Sequence, residues 1–230
     1  ECSIFSGGFT FAAAAAIMAA PEAVLIKLVD QSLLQLDEGR FTLHELIRQY
    51  ATTQLAQFPE QQRIYFERHA VYYLELLQRV ESLLLAEFSA QLIVQNDLNN
   101  IRAAWLWSVA QGNLTLLATG LDSLECFYRL TCLYREAIHL LEQALIPVRQ
   151  AVAADPTNSQ TQRLQIRLLC HTAQFYRRSG EASQGENLAN EAFALAQRLK
   201  EPALLGLVYH ELARLAQVHG DFITMRTLAI

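Results

Sequence analysis

The sequence predicts an all-α protein interrupted by one small β-hairpin, and three observations carry that expectation. Ala, Leu and Gln recur along all 230 residues, while Gly (9) and Pro (5), which break helices, are scarce. Apolar residues return at three- and four-residue spacing over most of the chain beyond residue 60, the period of a helix with one buried stripe. Towards the C-terminus, segments the size of a helix pair resemble one another, as in repeats that stack on copies of themselves.

Composition excludes several classes. Hydrophobic residues make up 52% of the chain, too many for a disordered one, and the net charge of −5 gives no basic footprint for nucleic acid or an anionic membrane. Cys2, Cys126, Cys132 and Cys170 form no CxxC pair and read as free thiols of a reducing compartment. Residues 9–20 are apolar, but no positively charged segment precedes them, so they do not read as a signal peptide. The longest apolar runs fall short of the roughly 20 residues of a membrane span. The chain is expected to be soluble and cytoplasmic. It starts on Glu1 without Met and stops at "DFITMRTLAI" with a helix under way, so it is expected to be a segment of a longer protein.

The first 58 residues come in a definite order. In "SGGFTFAAAAAIMAA", Gly7 and Gly8 make a turn and Thr10 is placed to cap a helix of strong formers. The double glycine lacks the length and the Lys-Ser/Thr of a P-loop. Pro21 suits the first turn of a second helix, "PEAVLIKLVD". "SLLQLDEGRFTL" reads as a hairpin turning at Asp37-Glu38-Gly39, with Gly39 supplying a positive φ. A helix from about His44 to Gln57 follows, with Leu43, Leu46, Ile47, Tyr50, Ala51 and Leu55 on one face. Helix, helix, hairpin, helix is the outline of a winged helix, assigned to residues 1–58. Its six acidic side chains (Glu1, Glu22, Asp30, Asp37, Glu38, Glu45) outnumber three basic ones (Lys27, Arg40, Arg48), which argues against DNA as its partner.

Residues 61–230 read as helices throughout. "RIYFERHAVYYLELLQRVESLL" is one long helix with an aromatic face. "NDLNNIRAAWLWSVAQGN" is another, entered through a polar cap at Asn96-Asp97 and ended by Gly112-Asn113. "LTLLATGLDSLECFYRL" and "LYREAIHLLEQALIPVRQAV" look like a packed pair, and "AADPTNSQTQ" is the clearest loop. After it, "TAQFYRRSGE" (172–181) aligns with "LARLAQVHGD" (212–221), and "CLYREAIHLLEQAL" (132–145) with "GEASQGENLANEAF" (180–193). Small residues at Ala173, Gly185, Ala192 and Ala213 mark places where two helices approach closely. The expectation is a right-handed solenoid of tetratricopeptide-like (TPR) helix pairs, with units near 114–150, 163–199 and 203–230.

Such a solenoid lines its concave face with the first helix of each pair. The groove-facing side chains are then Arg167, His171, Gln174, Arg177 and Arg178, followed by His210, Arg214 and Gln217. That strip is more basic than the chain as a whole and suits an acidic peptide or another anion. A solvated polar face without a ligand is the plain alternative.

Taken together, "SIFSGGFTFAAAAAI", "LIKLVDQSLLQLDEGRFTLHELIRQYATTQL", "ERHAVYYLELL" and "NDLNNIRAAWLWSVAQGN" resemble, in the same order, bacterial signalling ATPases of the STAND class, relatives of the NB-ARC switch proteins. "REAIHLLEQAL" is similar to the first repeat of their sensor arm. The resemblance covers nearly the whole chain and implies a winged helix and a TPR arm that follow an NTPase core. It implies that Leu43, His44 and Glu45 stand in the place of the family's Met-His-Asp motif, whose histidine meets the phosphates of bound ADP. Leu43 and Glu45 depart mildly from that motif. The larger departure is that no P-loop, Walker-B acid or arginine sensor occurs here, so ADP or ATP is expected in the parent protein and no cofactor in this chain. Independently of the resemblance, an imidazole at a helix N-terminus is placed to donate to an anion, and a half-buried histidine joining hairpin to helix is the equal alternative.

No other constellation carries chemistry. His69, His139, His171, His210 and His219 are scattered, no HExxH or metal-ligand spacing occurs, and Cys170 and His171 point about 100° apart on a helix. Trp105, Trp107, Tyr72 and Tyr73 read as core, and "NDLNN" lacks the Gly and terminal Glu of a calcium loop. The expected function is therefore that of a non-enzymatic regulatory and sensing segment of a STAND-type ATPase, binding a protein or peptide through the concave face. A free-standing TPR adaptor and a winged-helix DNA-binding regulator are the alternatives.

Overall fold

Thr10 ends a two-residue strand and begins a helix, and both roles follow from its position after the double glycine. Its hydroxyl accepts the Ala13 N–H at 3.2 Å, capping α1 (Phe11–Met18) as the sequence predicts. The computed structural model describes residues 1–228. Among them are twelve α-helices and one three-stranded antiparallel sheet, so the protein is helical with a minor β element. The last two residues of the expected unit 203–230 lie outside the described residues. The chain divides into two compact units, Glu1–Ser108 and Val109–Ile230.

In the first unit, β1 (Phe9–Thr10), α1 and α2 (Glu22–Asp30) precede the hairpin of β2 (Leu34–Asp37) and β3 (Arg40–Leu43). The hairpin turns through Glu38 (φ 45°) and Gly39 (φ 77°), two successive positive φ values that match the twist of the strands they join. A third strand, unforeseen in the sequence, completes the sheet: β1 pairs with β3, giving the order β1-β3-β2. Two residues are too few to leave an alternating pattern. Gly8 precedes this strand, where a Cβ would stand 3.2 Å from the Thr42 methyl. Pro21 proves to be the cap residue of α2 rather than part of its first turn.

The helix α3 (Glu45–Leu55) starts directly after the hairpin, with His44 as its cap residue. Its expected apolar face is only partly used. Leu55 is buried and Ile47 and Ala51 half-buried, but Leu46 and Tyr50 are 70% and 68% exposed. The short helix rests one stripe against the N-terminal turn and α4, and Leu46 and Tyr50 fall outside that stripe. The long helix α4 (Pro59–Val80) supplies Tyr65, His69, Tyr73, Leu74 and Leu77 to the core. Phe5 stacks on Phe9 at 4.0 Å between ring centres, Phe9 on Phe41 at 5.7 Å, and His69 and Tyr73 close the cluster. The first compact unit extends past residue 58 to Ser108, because α4, α5 (Phe88–Asn96) and α6 (Leu98–Ala110) are grouped with the sheet. Helix α5 is a weak amphipath that buries only Ala90 and Val94, which is why its pattern does not stand out in the sequence.

The run Asn96–Asn100, expected as a helix cap, holds Asp97 at the end of α5 and also carries a polar hub around the buried Asp97 and Asn100. Arg40 crosses from β3 and donates to Asp97 Oδ1 at 2.6 Å, to the Gly8 carbonyl at 2.7 Å and to the Asn96 carbonyl at 3.1 Å. Asn100, 1% exposed, accepts the Ser6 N–H at 2.8 Å and donates to the Gly8 carbonyl at 3.0 Å. These bonds satisfy the glycine turn that β1 leaves behind.

The second unit is a series of helices each packed on the next: α7 (Leu114–Thr131), α8 (Tyr134–Ala154), α9 (Ser159–Arg178), α10 (Ala182–Leu199), α11 (Pro202–Val218) and α12 (Phe222–Leu228). Alternate helices also meet, α7 with α9 and α9 with α11, so the arrangement is solenoid-like. The expected loop 151–162 is shorter than its composition suggests: α8 runs to Ala154, and Asn158 already caps α9 by accepting the Thr161 N–H. Asn113 likewise opens α7 rather than ending α6. The two aligned repeats end alike. The Glu181 N–H reaches the Tyr176 carbonyl at 2.8 Å around Gly180, and the Asp221 N–H the Ala216 carbonyl at 2.9 Å around Gly220. Both glycines take a positive φ, the geometry that closes a helix and reverses the chain.

Small residues sit where close approach was expected. Ala173, Ala192 and Ala213 are buried, and a Cβ on Gly185 would stand 2.8 Å from the Ala173 carbonyl oxygen. Gly206, on the exposed side of α11, has nothing within 4 Å. Gly185→Ala is therefore expected to lower stability by about 1–3 kcal/mol as α9 and α10 are forced apart, whereas Gly206→Ala gains about 0.5–1 kcal/mol from helix propensity. Urea unfolding of both variants checks this, and a stabilised Gly185→Ala protein would contradict the close approach.

Burial moves the titration of His69 in the first unit into the acid range. His69 is 1% exposed, its Nε2 lies 3.4 Å from Asn100 Oδ1, and burial pulls its pKa from the usual 6.5 down to about 4. Above pH 6.5 both folded and unfolded imidazoles are neutral and stability is complete; between there and about pH 4 only the unfolded chain takes the proton, so stability falls as pH falls. The loss between about pH 7 and about pH 4.5 should be roughly 2–3 kcal/mol smaller in His69→Gln than in the wild type. Equal losses in the two proteins would refute this role for His69.

Candidate functional site

Two places answer to the expectations from the sequence, one in each unit. In the first, Leu43 ends β3 opposite Leu34, His44 caps α3 and Glu45 is its first residue. The His44 imidazole is exposed, so it does not fill the joint between hairpin and helix. Its Nδ1 accepts the Leu46 N–H at 3.3 Å, which leaves Nε2 as the ring's donor, directed at no protein acceptor among the described residues. Glu45 accepts from Arg48 at 2.7 and 2.8 Å and from Gln49 at 2.9 Å, and the Arg48 bond chiefly holds its carboxyl below the usual range.

The second place is a polar pocket of about 470 Å³ in the second unit, lined by Arg129, Gln174, Arg177, Arg178, His210 and Arg214. These come from α7, α9 and α11, alternate helices of the second unit. Five of the eight side chains expected in a groove thus converge. Gln217 lies beside them, accepting from Arg214 at 3.4 Å, without lining the pocket. Arg167 and His171 are placed elsewhere: both turn to Asp122 on α7, Arg167 in an ion pair and His171 Nε2 at 3.4 Å from Oδ1. Burial works to raise the Asp122 carboxyl, but His171 and the Arg167 guanidinium outweigh it and hold it well below the usual carboxylate range.

Beneath the pocket lie two acids that the sequence did not single out. Arg177 grips Glu211, 2% exposed, with Nε to Oε1 at 2.7 Å and Nη2 to Oε2 at 3.1 Å. Arg129 donates from Nε to Glu125 Oε1 at 2.9 Å, and Gln174 donates to the same oxygen. Burial raises the Glu211 carboxyl above its usual value even though Arg177 pulls the other way. Arg178 and Arg214 are exposed, and among the described residues neither meets a carboxylate. The pocket therefore holds two guanidiniums spent on structure and two that are not.

Arg129 was legible after all. Carrying the alignment of 132–145 with 180–193 a few residues backwards sets "CFYR" (126–129) over "QFYR" (174–177), which matches Arg129 with Arg177 and Cys132 with Gly180. Cys132 indeed takes the glycine's left-handed role, at φ 58°. The cysteine is otherwise unremarkable, and Cys170, buried in α9, has its thiol pushed up to about 12 by burial, which makes it a poor nucleophile. Among the described residues no group of His, Cys, Asp and Glu is placed to hold a metal ion. No single helix among them is long and apolar enough to cross a membrane, and the short apolar helices α1 and α2 are bent by 116°.

Arg177→Leu should cost about 3–5 kcal/mol, because it strands the buried Glu211, while Arg214→Leu should stay within about 0.5 kcal/mol of the wild type. Chemical denaturation of the two variants measures the contrast, and similar losses would mean that Arg214 is structural as well.

Comparison with known protein families, with characterised proteins and with solved structures gives no match.

Proposed function

We propose that this chain is the non-catalytic regulatory and sensing part of a STAND-type signalling ATPase, with an anionic ligand taken up by its helical repeats. The observation that carries the reading is the convergence of Arg129, Arg177, Arg178, His210 and Arg214, from α7, α9 and α11, on one polar pocket. A solvated face without a ligand would not need cations from three helices, two of them held by buried carboxylates. Helix pairs closed by equivalent glycine turns suit TPR-like repeats, in which first helices line the concave side.

The order β1-α1-α2-β2-β3-α3, with the sheet order β1-β3-β2, suits a winged helix. In this reading it docks on an NTPase core that lies outside the chain. The exposed Leu46 and Tyr50 on α3, with Phe58 60% exposed just beyond it, favour a packed surface there rather than a solvated one. His44 is the residue of this chain suited to ADP bound in that core. Its Nε2 donor is free, and the helix N-terminus beside it favours an anion. The nucleotide's phosphates would draw their other contacts from the core.

The test is made on the longer protein to which this reading assigns the chain. His44→Ala should speed ADP release at least about tenfold and raise basal activity, since one charge-assisted hydrogen bond is lost. Wild-type ADP retention in that variant, or a coding region with no NTPase core upstream of Glu1, would overturn the reading.

A further inference from the structure

The pocket on α7, α9 and α11 has a more specific chemistry than "anionic ligand" conveys. We propose that it binds a compact small molecule through a phosphate or diphosphate group, rather than a stretch of acidic peptide. The inference rests on the reading above that this face binds a ligand.

Three properties of the site favour a phosphate. Its volume of about 470 Å³ suits a small molecule, whereas a peptide runs along a groove and anchors side chains in apolar subpockets. Here the lining is four guanidiniums, one imidazole and one amide: Arg129, Arg177, Arg178, Arg214, His210 and Gln174, with no aliphatic side chain and no Phe, Tyr or Trp among them. A phosphate oxygen needs only N–H donors and positive charge, and guanidinium forks match it in geometry.

The second property is charge. Glu211 and Glu125 neutralise Arg177 and Arg129, so the net positive charge comes from Arg178 and Arg214, with His210 beside them. Two uncompensated guanidiniums complement a dianion. The third is preorganisation. Arg177 spends Nε and Nη2 on Glu211, and Arg129 spends Nε on Glu125 and Nη2 on the Cys126 sulfur at 3.6 Å. In each the Nη1 group is left to donate, on a side chain already fixed in place. A ligand meeting these donors does not have to order them first.

The experiment is isothermal titration of the full chain with inorganic pyrophosphate and, separately, with a hexaglutamate peptide, at low and at near-physiological salt. The variants are Arg178→Gln/Arg214→Gln and, as a charge-matched control, Arg198→Gln/Lys200→Gln at the exposed C-terminal end of α10. Arg178 and Arg214 are exposed, so circular dichroism should show both variants folded. One pyrophosphate per chain is expected, with affinity reduced at least about a hundredfold in the double variant, two charge-assisted contacts being lost, and unchanged in the control. Pyrophosphate binding that survives the double substitution would place the site elsewhere and overturn the proposal. Hexaglutamate bound in place of pyrophosphate, and lost in the double variant, would keep the ligand-binding face and sink the phosphate assignment. Binding of neither probe would sink both.

Discussion

The distance between α9 and α10 is the constraint on which the second unit depends. At Gly185 the helices come so close that a single Cβ would press on the Ala173 carbonyl oxygen, and Ala189 and Leu215 complete a small core around that point. Interiors are packed too tightly to absorb such an intrusion, so the contact fixes how far α9 can shift or rotate. Helix α9 in turn touches α7, α8, α10 and α11. Its position decides whether Gln174, Arg177 and Arg178 meet the side chains offered by α7 and α11. A methyl group's width at one glycine thus governs a pocket built from three helices.

Within that pocket the same residue type performs two tasks, and burial separates them. Arg177 and Arg129 end on carboxylates that are nearly inaccessible, where removing one partner leaves an uncompensated charge in a poor solvent. Arg178 and Arg214 stand in water, where a lone guanidinium costs nothing. The first unit uses the buried kind as well: Arg40 spans from β3 to Asp97 and ties two backbone carbonyls on the way. In both units a long cation tipped with several donors connects elements distant in sequence, where a hydrophobic contact would hold them together without fixing their register.

The first unit adds a core of aromatic rings around Phe5, Phe9, Phe41, His69 and Tyr73. Because rings pack in few orientations, this cluster sets the N-terminal turn, the sheet and α4 against one another. It leaves α3 at the margin, with Leu46 and Tyr50 in water and His44 at its exposed start. A histidine so placed keeps one nitrogen on its own helix and the other available, an arrangement suited to a contact made and broken with an outside group.

The sequence by itself determined whatever depends on neighbours a few residues apart. Thr10 capping α1, Gly39 turning the hairpin, Gly180 and Gly220 closing α9 and α11, and the small residues at Ala173 and Gly185 follow from local sterics or from a helical period. Helical spacing set eight side chains on one face, and the pocket gathers five of them, Gln174, Arg177, Arg178, His210 and Arg214, but not Arg167, His171 or Gln217. Tertiary structure decided which of those charges are spent. That Arg167 and His171 turn to Asp122, that Glu211 sits beneath Arg177, and that Asp97, at the end of α5, also pairs with Arg40 all depend on rotation and register between separate elements. It also decided that Leu46 and Tyr50 remain outside, because a helix's periodicity shows which residues share a face but not how wide an arc of that face its neighbours cover.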